Sequence, residues 1–268
     1  MTTIKPQIDT ASLREMSRLM VMNLPVPGEL IAKCRRAGQN LVRGDDPHWG
    51  WTTLVACAAA EWDVAEAERL AKNAIDALGP GESLLCNLSV SFKQLCRLDL
   101  AVAHSERAYR QSPNDVLAIH AYVDDLFILG RFREGAAVTR RAAHLTDPGP
   151  HEEGESIEEL THTFQNVVDD LEEAGVEEER LRTELTLAIG VLREARLRYL
   201  GARIKREADP ESGGFSIVAE VQLMGSLEDE LRLGAMLAPK LAEHAQWDPC
   251  SLNTGFFCMQ REDADVPA

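Results

Sequence analysis

Between residues 116 and 129 apolar side chains recur at helical spacing, with Ile119, Tyr122, Val123 and Leu126 on one face. Gly130 then allows a sharp turn, and Phe132 starts a return helix. The same alternation of apolar stripe and turn runs along most of the chain. Residues 11–23 carry Leu13, Met16, Leu19 and Met20 on one side, and Pro25, Pro27 and Gly28 end that helix. Residues 29–42 read as a second helix, closed by Gly44-Asp45-Asp46-Pro47. Residues 157–173 present Leu160, Phe164, Val167, Val168 and Leu171. Ala174-Gly175 turns the chain into a longer helix over 176–198, bearing Leu181, Leu185, Ala188, Leu192 and Ala195.

After Leu197 the period changes. Residues 199–208 read as a strand of poor alternation, and residues 209–214 are a turn cluster. Phe215, Ile217, Ala219, Val221 and Leu223 alternate cleanly as one face of a second strand. Ser226 and Asp229 form a capping-box pattern that opens a helix to about His244, which Pro239 should kink or shorten. Residues 253–260 read as a last strand. The result is a ββαβ unit of about 65 residues, a marginal size to stand alone, so it is expected to pack on the preceding helices.

Residues 48–150 hold a repeat. Ala67, Ala101 and Gly135 fall 34 apart, as do Ala74, Ala108 and Ala142. Trp51, Leu85 and Ile119 keep that step, as do Leu54, Leu88 and Tyr122, and Val64, Leu98 and Phe132. Gly79-Pro80-Gly81, Ser112-Pro113-Asn114-Asp115 and Asp147-Pro148-Gly149-Pro150 punctuate the copies. This period and pattern resemble the tetratricopeptide repeat family, with Val55, Ser89 and Val123 in place of the family's first-helix glycine. The resemblance implies a mainly α fold, a superhelix of antiparallel helix pairs whose small residues mark close helix crossings. Residues 1–47 are expected to form a degenerate capping pair, 48–150 three repeats, 151–198 a helical hairpin and 199–268 the small α+β module.

Charge is uneven. Residues 1–150 hold 17 Lys/Arg against 18 Asp/Glu, and residues 151–268 hold 11 against 26. Clustered cations of the kind phosphate binding needs are absent, so nucleic acid is not an expected partner. No apolar run approaches the ~20 residues of a membrane span, and Arg14, Glu15 and Arg18 interrupt the N-terminal apolar residues, unlike a signal peptide. A cytoplasmic protein is the expectation. Cys34, Cys57, Cys86, Cys96, Cys250 and Cys258 form no CxxC pair and read as small buried residues.

No catalytic motif emerges. His104, His120, His144, His151 and His162 form no HxxxH or HExxH pair, and no P-loop, G-x-S-x-G or G-x-G-x-x-G is present. Asp124-Asp125 and Asp169-Asp170 are adjacent carboxylates that diverge by about 100° on a helix. Neither a metal nor a cofactor is expected. The family resemblance implies a concave groove lined by the first helices of the repeats. Its positions here are Thr52, Ala56 and Ala59, then Cys86, Asn87, Val90 and Lys93, then His120, Asp124 and Phe127. Of the basic and polar clamp some members use to grip a terminal carboxylate, only Asn87 is matched. The groove suits an apolar protein or peptide segment. The expected function is a non-enzymatic adaptor or scaffold, with the C-terminal module as a second contact or homodimerisation surface. Two alternatives are a secretion-type or assembly chaperone, and an enzyme or ligand-binding regulator acting through the ββαβ module.

Overall fold

The computed structural model describes residues 10–145, 156–208, 214–244 and 251–260. The expected turn at residues 147–150, the acidic stretch 151–155, most of the 209–214 turn, and Cys250 lie outside the described residues. Ten helices come first: α1 (Thr10–Val21), α2 (Gly28–Arg43), α3 (Pro47–Ala60), α4 (Val64–Leu78), α5 (Glu82–Gln94), α6 (Leu98–Gln111), α7 (Val116–Ile128), α8 (Phe132–Ala142), α9 (Ile157–Ala174) and α10 (Glu178–Ala195). Then follow β1 (Tyr199–Ala208), β2 (Phe215–Met224), α11 (Leu227–Ala242) and β3 (Leu252–Met259).

Local chemistry sets the boundaries. Asp46, Asp63 and Asp115 cap α3, α4 and α7, each side chain accepting a backbone N–H three residues on. Ser156 with Glu159 and Ser226 with Asp229 form complete capping boxes on α9 and α11. Gly130 turns α7 into α8 with φ 69, and a Cβ there would meet the Arg182 backbone at 3.0 Å.

Short connections fold each helix back on its predecessor. α4, α6 and α8 begin at Val64, Leu98 and Phe132, and the small residues Ala67, Ala101 and Gly135 stand fourth in each, all buried. α3 packs on α5 and α5 on α7. Gly135 lets α9 approach α8: a Cβ would lie 2.1 Å from Cε1 of Phe164.

Two large apolar clusters result. One spans Met16 to Ala101 across α1–α6. The other joins α7–α10 to the sheet and α11, so the C-terminal unit shares its core with the helices before it. The sheet order is β1-β2-β3, antiparallel between β1 and β2 and parallel between β2 and β3. A parallel pair needs a crossover, which α11 supplies.

Two expectations change. The helix expected over 176–198 ends at Ala195, because Arg196 takes a left-handed conformation (φ 53) and its N–H closes on the Arg193 carbonyl. α11 runs past Pro239 to Ala242, close to the expected end near His244, and is not shortened at the proline.

Candidate functional site

The segment leaving α10 is fixed to the N-terminal helices. Asn23, just past α1, accepts the Arg198 N–H at 2.7 Å and donates to the Arg198 carbonyl at 2.9 Å and the Met224 carbonyl at 3.1 Å. The Arg198 guanidinium donates to the Ala59 carbonyl at 2.9 Å at the C-terminal end of α3 and lies 4.6 Å from the Trp62 ring centroid. Burial lowers the Arg198 pKa to about 10. The C-terminal pole of α3 and the face of Trp62 are what favour a cation there. Cys96 at the end of α5 adds a bond to the Leu197 carbonyl at 3.5 Å.

This docking lays β1 beside α5, α7 and α9 and leaves a cavity of about 540 Å³ between them. Val90, Val123, Phe127, Leu160, Phe164 and Val167 form its apolar wall, and Lys93, Gln94, Asp124, Tyr199 and Arg203 its polar groups. Phe127 meets Phe132 and Phe164 edge to face, with centroids 5.1 and 5.5 Å apart, which holds the ring rigidly. Val90 is 50% exposed at the mouth. A register shift between Tyr199 and Gly201 marks a bulge where β1 enters the sheet.

Behind Lys93 lies a buried ionic network. The Asp125 carboxylate accepts from Ser89 at 2.7 Å and Ser105 at 2.5 Å, and the Lys93 ammonium lies 3.2 Å from its other oxygen. Asp124, its sequence neighbour, points outward and stands 3.9 Å from the same ammonium. The two carboxylates do diverge, yet Lys93 ties them together. Ser89 is thus a donor to a buried carboxylate. Two further polar atoms in the cavity's lining residues are buried without a hydrogen-bond partner, the Tyr199 hydroxyl and Gln94 Oε1. Burial pushes the Tyr199 phenol well above its ordinary pKa, so it stays protonated and able to donate.

Of the residues expected in the groove, Val90, Lys93, Asp124 and Phe127 come together here. Thr52 is buried, with its hydroxyl bonded back to the His48 and Trp49 carbonyls of α3. Ala56, Cys86, Asn87 and His120 are partly buried outside the cavity, Asn87 Nδ2 lying 3.4 Å from His48 Nε2. Sequence reasoning missed Gln94, Tyr199, Leu200 and Arg203. The one signal was the poor alternation of residues 199–208, as befits a strand that meets a cavity along its edge.

Among the described residues, no group of His, Cys, Asp and Glu is placed to hold a metal ion, and no helix is long and apolar enough to cross a membrane. No protein-family model, no curated protein and no solved structure matches this chain.

Proposed function

We propose that this chain is a non-enzymatic helical-repeat protein of the tetratricopeptide type, an adaptor or scaffold that holds a protein segment in the cavity between α5, α7, α9 and β1. The carrying observation is that cavity: a rigid apolar wall from α5, α7 and α9, with a few polar groups converging on it. The 34-residue steps of Val64, Leu98 and Phe132, each opening a helix, support the repeat reading. The C-terminal module in this reading covers part of the groove and shapes what remains. The expectation of a long open groove therefore narrows to a short site.

A random dodecapeptide library displayed on phage and selected against the full chain tests it. Selected peptides should lose at least about tenfold in affinity, roughly 1.4 kcal/mol, on Val90→Arg. Leu117→Arg, at a position 65% exposed outside the cavity, should leave them unaffected. Equal binding to both variants, or no selected binder, would overturn the proposal.

A further inference from the structure

Six consecutive residues of β1, Tyr199 to Ile204, line the cavity, and no residue of β2 does. Successive side chains of a strand point to opposite faces. A cavity lying over one face would touch every second residue. Contact with six in a row means that the cavity runs along the strand's edge. β1 is an outer strand, and its other edge is paired with β2. Among the described residues, the backbone of residues 200–204 makes no hydrogen bond outside that pairing. The wall facing α5, α7 and α9 therefore carries unpaired N–H and C=O groups at alternate positions.

Edge strands are commonly blunted by charged side chains. Here Arg203 and Lys205 are both drawn to Glu220 on β2, at 2.5 and 2.8 Å. The edge is left open beside the unpartnered Tyr199 hydroxyl and Gln94 Oε1, and Tyr199 is only 6% exposed. Each charged residue lining the cavity already has an ion-pair partner: Lys93 faces Asp124 and Asp125, and Arg203 faces Glu220. A charged occupant would have to compete with those pairs.

Building on the proposed function, we infer that the occupant is an uncharged, extended segment of a partner protein that joins β1 as a fourth strand. Its backbone pairs with the open edge of residues 200–204. Every second side chain enters the apolar wall at Phe127, Leu160 and Phe164, and the Tyr199 and Gln94 side chains take the polar groups at one end. Main-chain pairing then supplies affinity and the alternate pockets supply specificity.

The probe is the tightest phage-selected dodecapeptide, resynthesised with both ends blocked and then N-methylated at one position at a time. Its core should be uncharged, with an apolar residue at every second position. Methylating alternate amides should weaken binding at least about tenfold, the loss of one or two backbone hydrogen bonds, while methylating the intervening amides leaves it intact. Hydrogen exchange should show alternate amides of residues 200–204 becoming protected when the peptide binds. If the peptide is sensitive to Val90→Arg but indifferent to methylation, the cavity reading stands and strand addition is wrong. A charged core sequence would overturn the assignment of an uncharged occupant. A dimer of the free protein with those amides already protected would place a second copy on the edge and also overturn the inference.

Discussion

The side chain of Asn23 clasps the backbone of Arg198 on both sides, accepting its N–H at 2.7 Å and donating to its carbonyl at 2.9 Å. The two residues are 175 positions apart, and through them the first helix decides where β1 lies. Asn23 does this from a left-handed conformation, φ 50, which asparagine tolerates better than most residues. Asn23→Ala should lose about 3 kcal/mol, from three hydrogen bonds at about 1 kcal/mol each, with backbone strain added. Asn23→Gly should lose less, because glycine relieves the strain. Urea denaturation of the full chain measures both. Equal losses would mean that φ strain contributes nothing.

The Asp125 network should be asymmetric to mutation. Asp125→Ala leaves the Ser89 and Ser105 hydroxyls without their acceptor and the Lys93 ammonium without its nearest counter-ion, a change expected to cost about 3 kcal/mol or more. Asp125→Asn keeps an acceptor for the serines and should cost about half as much. Denaturant midpoints for the pair decide; a loss under about 1 kcal/mol for Asp125→Ala would show that water replaces the carboxylate.

Close helix crossings should reject larger side chains. Gly135→Ala would press its methyl into the Phe164 ring, which is already wedged among Phe127 and Phe132. Overpacking of this kind typically costs about 1–3 kcal/mol. Ala101→Leu, at a fully buried position, should cost at least as much. An unchanged thermal midpoint for either would mean that the helices slide apart freely at that crossing.

Stability should fall at high pH through the buried thiols. Burial pushes Cys57 and Cys96 from 9.0 up to about 12. Below pH 9 both states keep these protons, and nothing is lost. From pH 9 toward about 12 the unfolded chain releases protons that the folded chain retains, so stability drops by about 1.4 kcal/mol per pH unit for each thiol. The double variant Cys57→Ala with Cys96→Ala should lose about 2–3 kcal/mol less than wild type between pH 8 and about 10. Parallel pH curves would show that these thiols titrate normally.

Much of the fold was legible residue by residue. The apolar stripe of Leu160, Phe164, Val167 and Leu171 marked α9, and the alternation from Phe215 to Leu223 marked β2. The Ser226 and Asp229 pattern opened α11 within a ββαβ order that the sheet reproduces. The end of α10 was not legible, because Arg196 adopts a left-handed conformation that its side chain does not announce. Part of the candidate site was legible too. Val90, Lys93, Asp124 and Phe127 lie on helices whose period was visible. Gln94 gave no local sign and Tyr199 only the poor alternation of its strand, since their importance lies in what they fail to touch.

The sequence by itself determined the helices, their caps, the 34-residue step and the switch to strands after Leu197. Those features depend on neighbours within a few residues, and propensity and periodicity record such neighbours directly. Only the tertiary structure decided that β1 would lie against α5, α7 and α9. That placement rests on pairs such as Asn23 with Arg198 and Arg198 with Ala59. Contacts across more than a hundred positions leave no period in the chain, because they depend on how every intervening helix packs. The cavity, its unpaired strand edge and its ion-paired charges follow from that packing alone.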